Sequence, residues 1–224
     1  MSFGRLGVAG GALGKAGFKH GTANINFGQT AAFDAVTTSN ANGPSTFTHT
    51  PNGTPTAVFA LAHYFGNLTG ITYGGTSMSS LASVNTGAGS TIKVWGLANP
   101  SAGVQSVITS GLVNQTVHVI SVTGSDTASL IRASATNVSS DTSPTVTCQT
   151  TISDLVICIA GDDDATTPTY TATGLSTQRG TMASNGFIDS VASSASGTSS
   201  DIDMTWTASS AIRWATIALS VKHG

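Results

Sequence analysis

The chain has no glutamate: among its 224 residues all ten acids are aspartate, and only eight residues are lysine or arginine. Charged residues reach 8%. Glu, Lys, Arg, Gln, Met and Leu fill the exposed positions of surface helices, and their scarcity leaves little from which to build one. Almost no helix is expected. Long apolar runs are missing too. The longest, over 57–62, has the length of a strand and falls far short of the roughly 18 residues that span a bilayer, so no membrane partner is expected. Residues 1–18 place Leu6-Gly7-Val8-Ala9 behind Arg5, but glycine is too frequent there for the apolar region of a signal peptide. Lys15 and Lys19 also stand where a small-residue cleavage site should be, which points to an unprocessed protein made in the cytoplasm.

Hydroxyl takes the place of charge. The chain holds 35 Thr and 30 Ser beside 26 Gly, and its 39% hydrophobic content argues against disorder of the whole. Thr, Val and Ile favour pleated strands. The formal charge of −2 is divided unevenly, because Arg5, Lys15 and Lys19 all precede the first acid, Asp34. The segment before Asp34 carries +3 and the rest −5. A neutral to acidic body argues against nucleic acid as a partner, since phosphate binding needs a basic face.

The most informative stretch is 70–84. Ile71 and Tyr73 alternate with Thr72 up to Gly74-Gly75, a pair that supplies the positive φ angles of a type I′ turn, and the chain is expected to run back extended from Ser77. In 91–98, Ile92 and Val94 share one face and Lys93 and Trp95 the other, and Asn99-Pro100 ends the strand. Residues 56–65 are apolar on both faces, as in a central strand expected to lie under the hairpin. Alternation continues at 33–36, 46–49, 104–109, 116–122, 187–191, 202–207 and 212–221. Turns are read at 40–44 and 111–114, and 193–200 as a flexible Ser/Gly loop. Residues 143–149 and 155–161 read as a hairpin around 150–154. Ten to twelve strands at regular spacing predict an all-β antiparallel sandwich of jelly-roll type, in one domain over 23–224 behind a glycine-rich segment over 1–22.

That segment has seven glycines, with Phe3, Leu6, Leu13 and Phe18 set between them. It cannot fold alone, because glycine maximises the entropy to be lost and four large side chains offer little burial. Two readings stand: a disordered terminus, or a docking arm in which Phe3, Leu6, Leu13 and Phe18 are anchors while Arg5, Lys15 and Lys19 steer.

Candidate chemistry is sparse. Adjacent carboxylates such as Asp162, Asp163 and Asp164 are one way to hold a hard cation like Ca²⁺. Neighbours in an extended loop point alternately, however, so at most two converge, and a solvated loop is the expected reading. His20, His49, His63, His118 and His223 show no ligand spacing and accompany no nucleophile motif. Glycosidase work needs two placed carboxylates, commonly including Glu. No catalytic residue, cofactor or metal is assigned. Trp95, Trp206, Trp214, Tyr64, Tyr73 and Tyr170 could stack on sugars, but each sits at an alternating strand position where core packing is commoner. Cys148 and Cys158 lie five residues either side of position 153, so a hairpin centred there sets them opposite each other and makes a disulfide geometrically feasible.

The I-T-Y-G-G-T-S-M hairpin at 71–78, V-W-G-L-A-N-P-S-A-G at 94–103, S-V-T-G-S-D at 121–126 and R-W-A-T-I-A-L-S-V at 213–221 together resemble a jelly-roll family. That family occurs in virion proteins of tailed bacteriophages and in some bacterial surface proteins. The resemblance covers roughly 30–222, and Phe3-Gly4-Arg5-Leu6-Gly7 is similar to the start of many phage structural proteins. It implies a non-enzymatic virion protein on the particle surface, docked through its N-terminal arm to other capsid or tail proteins. Capsid decoration is favoured over a tail or fibre component. A homo-oligomer, a trimer among the candidates, suits a surface of short side chains. The alternative is a carbohydrate-binding adhesin or receptor-binding module recognising a glycan of the host envelope.

Overall fold

In the computed structural model, residues 28–87, 89–163, 169–180, 183–184 and 188–224 are described. They contain no helix and are mostly strand, as the missing helix formers predict. The first seven strands are β1 (Ala32–Asn42), β2 (Thr46–His49), β3 (Ala57–Tyr73), β4 (Thr76–Ser77), β5 (Ser79–Asn85), β6 (Ser90–Ala98) and β7 (Gln105–Thr123). They form one sheet in the order β1-β7-β3-β6-β5, with β2 on β7 and β4 on β3. Then come β8 (Ile131–Asp141), β9 (Thr145–Cys148), β10 (Leu155–Asp162), β11 (Tyr170–Thr173), β12 (Thr177–Gln178), β13 (Ala183–Ser184), β14 (Asp189–Ser196), β15 (Ile202–Ala208) and β16 (Ile212–Val221). A second sheet runs β12-β14-β10-β16-β8, with β13 on β14, and a small third sheet runs β11-β15-β9. Every pairing is antiparallel, so the chain is an antiparallel β-sandwich. The strands of the two large sheets do not interleave along the chain: the first sheet is complete before the second begins.

Three cores stack through the molecule. Because side chains alternate across a strand, β3 sends Ala57, Phe59 and Leu61 inward against Ile157, Ile159, Ile217 and Leu219 of the second sheet. Its other face, with Val58, Ala60 and Ala62, builds a second core. What covers that outer face is the far end of the same ribbon, through Ile71, Tyr73 and Val107. The third core, with Cys158, Trp206 and Trp214, lies between the second and third sheets. Each large aliphatic or aromatic side chain sealed in these layers contributes roughly 1.5–3 kcal/mol.

The ribbon explains why 56–65 and 70–73 read as separate elements. They are one strand, β3, paired with β7 from Ala57↔Val122 to Tyr73↔Val107 across a bulge between Leu68 and Gly70. The expected break at 111–114 is likewise a bend within β7, and Gly66 (φ 112°) and Gly111 (φ 123°) mark it. A side chain at Gly111 would run into the Asn67 carbonyl. The expected turn holds at Gly74 (φ 56°) and Gly75 (φ 80°). After it only Thr76 and Ser77 pair back on β3, and β5 pairs instead with β6.

Other expectations are corrected. The strand β1 runs on to Asn42, through part of the turn read at 40–44. The described residues form sixteen strands where ten to twelve are expected. The strand β8 gave no signal, since Ser, Thr, Ala and Asn on both faces carry no apolar alternation, yet it pairs with β16 along ten residues. Much of the supposed Ser/Gly loop at 193–200 is β14, a strand buried from Asp189 to Ala195. Its serines are interior because β14 is hydrogen-bonded to β10 and covered on both faces. The hairpin of 143–149 with 155–161 is absent: β9 pairs with β15 in the third sheet, while β10 lies between β14 and β16 in the second.

Candidate functional site

Towards one end of the sandwich, the strands facing each other across the main core change from aliphatic to polar. On β3 the inward series Phe59, Leu61 continues with His63; on β7, Val122 and Ile120 give way to His118 and Thr116; on β6, Val94 and Ile92 give way to Ser90. From the opposite sheet β14 contributes Ser190 and β10 contributes Gly161, which are cross-strand partners. His63, His118, Thr116 and Ser190 are all 0% exposed and Ser90 is 1% exposed.

Every ring nitrogen of the two histidines is engaged. His63 Nδ1 lies 3.0 Å from the Asp189 carbonyl, which can only accept, so Nδ1 carries the proton and Nε2 accepts from Ser90 Oγ at 2.8 Å. His118 meets Thr38 Oγ1 at 2.9 Å through Nδ1 and Ser190 Oγ at 3.1 Å through Nε2. Thr116 and Ser190 share a further hydroxyl–hydroxyl bond. The network reaches outward through Thr86, which contacts Ser90 Oγ at 2.9 Å and donates to Asp163 at 2.8 Å. Burial pushes His63 down to about 4, opposed by its bond to Asp189. Burial likewise pushes His118 down to about 4, opposed by hydrogen bonding to Ser190 and reinforced by the neighbouring His63. Both rings are therefore neutral near pH 7.

Two glycines make room for the rings. A Cβ on Gly161 would lie 2.6 Å from His63 Nδ1, and one on Gly180 would lie 2.6 Å from His118 Nδ1. The Ser90–His63 pair has the spacing of a hydroxyl beside a base. A backbone carbonyl, not a carboxylate, orients the imidazole, and no substrate atom reaches the sealed pair without parting the sheets. Chemically the cluster is a set of satisfied hydrogen bonds that joins the sheets where aliphatic packing stops.

A second polar node ties down the C-terminal end. Asp154, its side chain 0% exposed, takes Arg132 Nε at 2.6 Å and His223 Nδ1 at 2.9 Å. It also accepts from Thr151 Oγ1 at 3.0 Å and Ser220 Oγ at 3.1 Å. Burial works against its charge, but these donors more than offset that and hold the carboxyl well below the usual range.

The sequence-predicted residues fall in scattered places. Phe3, Arg5, Leu6, Leu13, Lys15, Phe18 and Lys19 of the docking arm, with His20, lie outside the described residues, as does Asp164. Asp162 and Asp163 point apart, as consecutive strand residues do: Asp162 is buried and accepts from Tyr170 OH at 2.7 Å, whereas Asp163 accepts from Thr86. Among the described residues no group of three or more His, Cys, Asp or Glu is placed to hold a metal ion. All six Trp and Tyr side chains are buried, from 1% exposed (Tyr73, Trp206, Trp214) to 8% (Tyr64), so they form no sugar platform on the surface. Cys148 and Cys158 are free thiols in the core between the second and third sheets. The register that would set them opposite each other does not exist, because Cys148 pairs with Ile202 while Cys158 pairs with Ser193 and Ala218. Sequence reasoning missed the His63–His118 cluster and the Asp154 node, since both depend on register between distant strands.

No family model, no curated protein and no solved structure matches this chain.

Proposed function

We propose that the chain is a non-enzymatic structural protein of a bacteriophage virion, displayed on the particle surface. Its N-terminal arm docks onto other virion proteins, and capsid decoration is favoured over a tail or fibre role. The family resemblance of the strand motifs supports this reading, and one structural observation carries it: among the described residues, the polar clusters that the fold assembles are centred on buried side chains. His63, His118, Ser90, Asp154 and Asp162 are buried and hydrogen-bonded to protein partners. The outside carries short hydroxyl and amide side chains, as on the edge strand β8, where Ser134, Thr136, Asn137 and Ser140 are exposed. Such side chains lose little rotamer freedom when ordered against a neighbour, which suits a lattice or a homo-oligomer. The adhesin reading loses its main support with the burial of the aromatic set.

The test is to count copies of the chain on purified particles by quantitative mass spectrometry, with labelled-antibody imaging to place it. Full-length chain should appear in a fixed, symmetry-related number, and chain lacking residues 1–22 should fold but fail to attach. Particles that carry none of the full-length chain would refute the virion reading. Attachment of the truncated chain at wild-type copy number would refute docking through the arm.

A further inference from the structure

Among the described residues, a groove of about 610 Å³ lies on one flank of the sandwich, between the edge strands β1 and β12, and runs into the margin of the main core. That volume lies within the range of small-molecule sites. Its lining is mixed, with a continuous apolar part: Ala31 and Leu155 belong to the main core, Phe33 packs against it, and Leu175 stands 65% exposed. An exposed leucine beside such an apolar part is a surface that water hydrates poorly.

One cation looks into this groove. The Arg179 guanidinium lies over the Phe33 ring, 4.2 Å from its centroid, and Arg179 Nε donates to Ser194 Oγ at 2.8 Å. The Arg179 backbone N–H donates to the Ala192 carbonyl at 2.9 Å, so the side chain springs from a fixed point. Among the described residues no carboxylate pairs with it, and its two Nη groups make no hydrogen bond. Arg132 pairs with Asp154 and Lys222 with Asp126, whereas Lys93 lies over the Trp95 ring. Arg179 thus presents the fork that suits a carboxylate in bidentate geometry, held by a stacked aromatic ring and one anchored nitrogen.

We propose that the flank groove is a binding site for a small amphipathic carboxylate, its anionic head on the Arg179 Nη groups and its apolar body along Phe33, Leu155 and Leu175. The hydroxyls of Thr177 and Thr198, also lining the groove, accommodate polar atoms beside the head. The site is independent of where the protein resides on a particle.

Octanoate is a suitable probe, titrated into ¹⁵N-labelled full-length protein at low salt and followed by amide shifts. Saturable binding is expected with a dissociation constant on the order of 1 mM, the scale for a ligand of about ten heavy atoms. Shifts should centre on 30–33, 175–179 and 195–198. Acetate, which lacks the apolar body, and octanamide, which lacks the charge, should each bind at least ~10-fold more weakly. Arg179→Gln should weaken octanoate by a similar factor. Because Arg179 also packs on Phe33, Leu175→Asp serves as a second variant at an exposed position; it should abolish binding without loss of fold by circular dichroism. The proposal is overturned if octanoate does not saturate, if its shifts map elsewhere, if octanamide binds as well as octanoate, or if the folded Leu175→Asp variant binds like wild type.

Discussion

Gly161 of β10 faces His63 of β3 across the sandwich so closely that a Cβ at position 161 would sit 2.6 Å from His63 Nδ1 and 2.9 Å from the Asp189 carbonyl. The imidazole of one sheet thus occupies the space a side chain of the other would need. Gly161→Ala should destabilise the fold by about 1–3 kcal/mol, the usual cost of overpacking. Urea denaturation measures it. His63→Ala removes the obstructing ring, so the cost of Gly161→Ala measured in that background should shrink. Additive costs would show that the contact is not the cause.

Acid should weaken the protein between about pH 6.5 and pH 4 through its buried histidines. Burial lowers His49, His63 and His118 from 6.5 to about 4, opposed at His49 by Asp34. Between those values the unfolded chain binds protons that the folded chain refuses. Stability is therefore full above about pH 6.5, falls as the pH drops towards 4, and loses nothing further from these groups below that. Each sealed histidine contributes a loss on the order of 3 kcal/mol. Denaturation curves from pH 8 to pH 4 should show this slope, and replacing His63 and His118 together by Gln should flatten most of it.

Asp154→Asn should cost about 2–4 kcal/mol, because Arg132, His223, Thr151 and Ser220 all direct donors at a buried site that would no longer be charged. The contribution of Asp154 has its own pH window. Its carboxyl is held below its ordinary 3.8, so that stability is present above about pH 4 and lost as the pH falls further. Comparing wild type with the Asn variant at pH 7 and pH 3 should show the difference narrowing at the lower pH.

Cys148 and Cys158 should resist thiol reagents in the native state. Burial pushes Cys148 up to about 11, and burial together with Cys148 pushes Cys158 well above its ordinary value. Near pH 8 neither supplies appreciable thiolate. Without reductant, a colorimetric thiol assay should read close to zero for folded protein and two thiols per chain in urea. One or no thiol in urea would mean that a disulfide had formed.

Much of the architecture follows from composition alone. With no Glu and few long side chains the chain lacks the means to cover a helix, while Thr and Val at alternating positions suit a pleat, so an all-β sandwich is the remaining solution. Local punctuation is legible for the same reason: Gly74-Gly75 makes the turn, and Asn99, with φ 49°, ends β6 ahead of Pro100. The interior fate of Trp95, Trp206 and Trp214 was also foreseeable from their alternation. The polar sites were not. His63 and His118 are 55 positions apart in the sequence, and they become neighbours only because β3 and β7 align Leu61 with His118. The Ser-rich β14 resembles a loop until β10 bonds to it and both of its faces are covered. Cys148 and Cys158 lost their expected register when their strands joined different sheets. Alternation within a strand tells which side chains share a face, but the neighbour across the sheet, and whether that face meets protein or water, depends on long-range register and sheet stacking. That is why the element types could be read along the chain, whereas the histidine cluster, the Asp154 node and the Arg179 groove were decided only when the sheets came together.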